Sequence, residues 1–89
     1  MDVEWTEYLK YRAALRGFDL ERIEQIVKHS NERYVDMATN RQVVVGRCRE
    51  TLVLVPYEVS ERVLTPITIH ATTRQQIEFR LKTGRFVHG

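Results

Sequence analysis

The run Thr51-Leu52-Val53-Leu54-Val55-Pro56-Tyr57 is the most apolar in the chain, and its apolar residues fall at both parities. Alternate side chains of a strand point to opposite faces. A strand apolar at both parities is therefore covered on both sides, at the centre of a sheet. Pro56 donates no backbone hydrogen bond, so pairing is expected to bulge or end there. Upstream, Arg49-Glu50 is a turn, Arg41–Cys48 a strand, Ala38-Thr39-Asn40 a turn, and Arg33–Met37 a short strand. Downstream, Val59–Arg62 turns into a last strand, Val63–Ala71, with Val63, Ile67 and Ile69 on one face and Leu64, Thr68 and His70 on the other. Connections this short make consecutive strands neighbours, which predicts a four-stranded antiparallel meander.

Before residue 33 the apolar period is helical. Residues 4–16 place Trp5, Tyr8, Leu9, Ala13 and Leu15 near one stripe, with Arg12 and Arg16 in the last turns and Gly17 as a left-handed stop. Asp19 caps a second helix, 20–29, striped by Leu20, Ile23, Ile26 and Val27. After the strands, Thr73 and Gln76 fit a capping box that opens a final helix through Lys82, with Ile77 and Leu81 inward. Gly84 ends it, and Arg85–Gly89 reads as a frayed tail. Helices gathered on one face of an antiparallel sheet make an α+β domain. The other face would carry Arg41, Arg47 or His70 according to parity.

The 89 residues allow one domain, and 43% hydrophobic content argues against disorder. The single cysteine, Cys48, makes neither an internal disulfide nor a cysteine-based zinc site, which favours a reducing, cytoplasmic setting. No apolar run approaches the about 18 residues of a membrane helix, and Met1-Asp2-Val3-Glu4 is no signal-peptide start, so no membrane partner is expected. Residues 1–39 carry six basic and eight acidic side chains, a net −2; residues 40–89 carry eight and four, a net +4. Of 14 basic residues only Lys10, Lys28 and Lys82 are lysine. Arginine is the better fork for phosphate, so the strand-rich half leans toward anion recognition.

No phosphate-binding glycine loop, zinc-spaced Cys/His set or nucleophile elbow is present, and no cofactor or metal is implied. What remains is one constellation. Arg41 and Arg47 share a parity on one strand; Tyr57 and Glu58 end the next; Arg62 follows its turn; His70, Thr72, Thr73 and Arg74 lead into the last helix. Arg41, Arg47, Arg62 and Arg74 suit phosphate binding and stabilisation of developing charge. His70, with Glu58 second, suits proton transfer, and Tyr57 base stacking. RNA is the easier substrate, because its own 2′-hydroxyl supplies the nucleophile. The plainer readings are solvated arginines, a Glu58–Arg62 surface pair and tyrosines in the core.

Three stretches, Asn40-Arg41-Gln42-Val43-Val44-Val45-Gly46-Arg47, Leu52–Glu58 and Ile67–Glu78, together with Arg16-Gly17-Phe18-Asp19, resemble the BrnT-like toxins of the RelE/ParE superfamily over roughly residues 12–82. The resemblance implies a RelE-like fold with a basic concave face. It further implies a metal-independent endoribonuclease acting on mRNA, free or ribosome-bound, and neutralised by a cognate antitoxin; ParE-like members poison gyrase instead. By position, Arg47 matches the arginine after the family's glycine, Arg62 a basic residue in the turn after the third strand, and Arg74 the segment opening the last helix. Asn40 stands where the family tends to carry an acid, and His70 where it usually has an arginine. The proton-transfer role then falls to Glu58 or His70, or the chain is a non-catalytic domain that binds RNA or protein through the same face.

Overall fold

In the computed structural model, which describes residues 1–89, the chain runs β1 (Asp2–Val3), α1 (Glu7–Arg16), α2 (Leu20–His29), β2 (Arg33–Asp36), β3 (Arg41–Cys48), β4 (Thr51–Ser60), β5 (Val63–Pro66), β6 (His70–Ala71), α3 (Arg74–Lys82) and β7 (Phe86–His88). The helices begin where hydroxyl and carboxylate caps stand: Thr6, Asp19 and Thr73 each accept from a first-turn amide. Gly17 closes α1 at φ 73°, where its amide reaches the carbonyls of Ala13 and Ala14.

β4 is central, as its two apolar parities require. β3 pairs along one side of it; β5 and β6 pair in turn along the other. The expected meander of β2 to β5 is present, but the sheet has seven strands in the order β1-β5-β4-β3-β2-β7, with β6 also on β4. Two additions lie at the edges. β1 pairs in parallel with β5, and β7 pairs antiparallel with β2. The expected frayed tail is therefore a strand. Phe86 anchors it, 2% exposed and stacked on Tyr34 at 5.6 Å between ring centroids.

Helices cover both faces, not one. Val44, Cys48, Val53, Val55 and Leu64 pack with Leu9, Ala13, Ile23, Ile26 and Val27 under α1 and α2. Val43, Val45, Leu52 and Leu54, at the opposite parities, pack with Ile77 and Phe86 under α3 and β7. Gly46 lets α2 lie close on β3: a Cβ there would sit 2.7 Å from Ile26. On α1 only Leu9 and Ala13 of the anticipated stripe are buried; Tyr8 and Leu15 face outward.

The expected last strand is broken. Tyr57 pairs with Pro66 and Leu54 with His70, so Val55-Pro56 faces Ile67-Thr68-Ile69, one residue more. This is a bulge opposite Pro56, whose carbonyl accepts from the Ile67 amide at 2.8 Å. The extra residue reverses the parity. Leu64 and Ile69 both face the α1–α2 layer, and His70 falls on the α3 face beside Leu54. The expectation that Leu64 and His70 share a face fails for that reason.

Candidate functional site

Between α3 and the sheet lies a cleft of about 490 Å³. Leu54, Pro56 and Ile67 form part of its floor, and its polar lining includes Arg41, His70, Thr72, Gln76, Arg80 and Arg85. The bulge delivers His70. The inward stripe of α3, Ile77 and Leu81, sets Gln76 and Arg80 beside it on the same helix flank. The turn into β7 delivers Arg85.

The cations differ in availability. Arg41 holds Glu58 at 2.6 Å. Arg85 clasps Asp36 through both carboxylate oxygens, at 3.1 and 3.2 Å. Burial alone would raise the Asp36 pKa; Arg85 and the amides of Ala38 and Thr39 outweigh it and hold the carboxyl below its usual range. Arg80 lies over the Phe86 ring, 5.4 Å from its centroid, with no carboxylate in ion-pair range. Its charge is free for a ligand.

His70 is exposed, and its Nδ1 is 3.5 Å from Nη2 of Arg12, which also donates to the Ile69 carbonyl at 3.2 Å. Partial desolvation, then the charges of Arg12, Arg16 and Arg80, lowers the imidazole pKa. The ring is neutral at pH 7. A guanidinium only donates, so the contact at Nδ1 assigns the ring's proton to Nε2. No carboxylate orients the ring.

Of the residues singled out from sequence, Arg41 and His70 meet in this cleft, and Glu58 joins through Arg41. The other four do not. Tyr57 has the parity of Val53 and Val55, so it is buried under α1 and α2 at 3% exposure, its hydroxyl donating to Gln42 and Arg33 lying over its ring. It cannot stack on a base in the cleft. Arg47 shares the face of Arg41 but stands six residues along the strand, roughly 20 Å, and donates to the Glu50 carbonyl. Arg62 occupies the tip of the β4–β5 turn at φ 68°, and Glu58 pairs with Arg41 rather than with it. Arg74 is tied to Glu32, just before β2, and does not line the cleft.

Arg80, Arg85 and Gln76 are the cleft residues that sequence reading did not place at a site, and Arg12, behind His70, is a further one; Thr72 stood in the constellation and does line the cleft. For two of them a signal existed: Gln76 and Arg80 are four apart and flank the inward pair of their helix. No group of three His, Cys, Asp or Glu side chains is placed to hold a metal ion, and no helix is long and apolar enough to cross a membrane. Compared with protein-family models, curated proteins and solved structures, the chain matches none.

Proposed function

We propose that this chain is the toxin of a toxin–antitoxin pair, RelE-like in build, which binds RNA in the α3-side cleft and cuts it. The supporting observation is the pairing of an unneutralised guanidinium, Arg80, with a neutral, exposed imidazole, His70, over one cleft. A phosphodiester seated there meets Arg80 and the Nε2–H of His70, with Arg41 at the far end. These donors suit the extra negative charge of the phosphorane formed when the 2′-hydroxyl attacks. No metal is called on, since the RNA supplies its own nucleophile.

The Arg12 contact moves His70 from proton acceptor to charge stabiliser. Of the two carboxylates at the cleft, Asp36 is a weakened base, held by Arg85. Glu58 is the remaining acceptor for the 2′-hydroxyl proton, once a phosphate takes over Arg41; as the P–O5′ bond breaks, the 5′-oxygen takes a proton back from Glu58 or from water, leaving a 2′,3′-cyclic phosphate. The antitoxin is assigned to the outer face of α1, where Tyr8, Tyr11 and Leu15 are 56, 62 and 66% exposed in one apolar stripe.

A second reading, an RNA-binding domain that does not cut, is favoured by the ion pairs: both cleft carboxylates are engaged by arginine. Induced expression separates the two. Growth arrest with transcript cleavage, lost in Arg80→Gln and weakened in His70→Gln, is the expected result. Salt-sensitive RNA binding without cleavage selects the binding domain. DNA-damage signalling without transcript loss selects a gyrase-directed toxin.

A further inference from the structure

We propose that the bound strand continues out of the cleft, over the β6 edge, and along a band of arginines formed by Arg12, Arg16, Arg22 and Arg49. The inference rests on the cleft being the RNA site, and extends it from one phosphodiester to a path. Three of the 11 arginines, Arg41, Arg74 and Arg85, are paired with carboxylates. The other eight are not, and five of these lie in succession. Arg33 caps α2 and Arg62 tips a turn; Arg47 projects at the end of β3, and the remaining five follow one another around the molecule.

The sequence of contacts runs from the cleft outward. Arg80 and His70 share the cleft. On the other side of His70 stands Arg12, at 3.5 Å, its Nε buried without a partner. Arg16 follows one turn along α1, roughly 6 Å on, and is close enough for its charge to act on His70. Arg16, Arg22 and Arg49 then line a groove of about 380 Å³ beside Gly17 and Cys48. Arg22 is anchored there by donating to the Arg47 carbonyl at 2.7 Å. Two acids border this stretch: Asp19, whose carboxylate is occupied as the cap of α2, and Glu50 at the turn.

The shape of the band names the ligand. It starts on the α3 face, crosses the two-residue β6 edge and ends on the α1–α2 side. A duplex is too stiff to turn through that angle over so short a distance. A single strand follows it, with cations tracking its phosphates.

Fluorescence anisotropy with 2′-O-methyl oligouridylates of 3 and 12 nucleotides, which cannot be cut at the 2′-oxygen, tests the path on the whole chain. The 12-mer is expected to bind more tightly and with a steeper salt dependence than the 3-mer. The double variant Arg16→Gln/Arg49→Gln, at two exposed side chains, should weaken the 12-mer at least tenfold and lower its salt slope by about 1.4, leaving the 3-mer unchanged. Arg80→Gln should weaken both. A double variant that binds the 12-mer like wild type overturns the path, as does a 12-base-pair duplex binding as tightly as the single strand. If Arg80→Gln changes nothing while the double variant weakens the 12-mer, the band stands and the cleft loses its role.

Discussion

His70 shows how much of this site is set by neighbours. Its identity was visible in the sequence; its face, its tautomer and its protonation were not, because a bulge, Arg12 and Arg80 decide them. Removing a positive neighbour must raise its pKa. Arg12→Met is expected to move the His70 titration, followed by NMR, upward toward the ordinary value of 6.5 and to admit the Nδ1–H tautomer. An unmoved midpoint would contradict the contact. The sign for stability follows: the unfolded chain binds this proton more readily than the folded one. The contribution is present above the unfolded value and lost as pH falls through the lowered folded one. Asp36 behaves likewise at lower pH, where its depressed pKa makes the Arg85 clasp fail on acidification. Asp36→Asn should cost about 1–3 kcal/mol in urea unfolding at neutral pH, with the difference from wild type shrinking in acid.

At the scale of elements, long strands and capped helices were legible, and short partners were not. β3 and α2 match their sequence readings end to end, since each carries a complete period and its own stop signals. β1 and β7 have two and three residues, too few to show a period, and become strands only by pairing with β5 and β2. The Pro56 signal was legible, but not the side on which the bulge would fall. Phe86→Ala separates an anchored β7 from a frayed tail. Loss of about 3–5 kcal/mol is expected for a core aromatic, and no change would mark a tail. Gly46 tests the α2 contact in the same way. Gly46→Ala should destabilise by about 1–3 kcal/mol through overpacking, and much less in an Ile26→Ala background.

For the molecule as a whole, the division of charge along the chain misleads. The sequence halves of −2 and +4 suggest a basic C-terminal sheet, yet three arginines of the cationic band, Arg12, Arg16 and Arg22, come from the acidic half. Folding sorts them by pairing: Glu58, Asp36 and Glu32 neutralise Arg41, Arg85 and Arg74, and leave the β6 side cationic. Four of the seven candidate residues miss the cleft for separate reasons: Tyr57 has the opposite parity, Arg47 lies too far along β3, Arg62 tips a turn and Arg74 is held by Glu32. The anion-binding character was legible; its location was not. The most direct test is an NMR titration of the isotopically labelled chain with a short single-stranded 2′-O-methyl RNA. Shifts concentrated at His70, Thr72, Gln76 and Arg80 are expected. Shifts confined to the Tyr57 face, or none at RNA concentrations that saturate anisotropy, would contradict the assignment of the cleft.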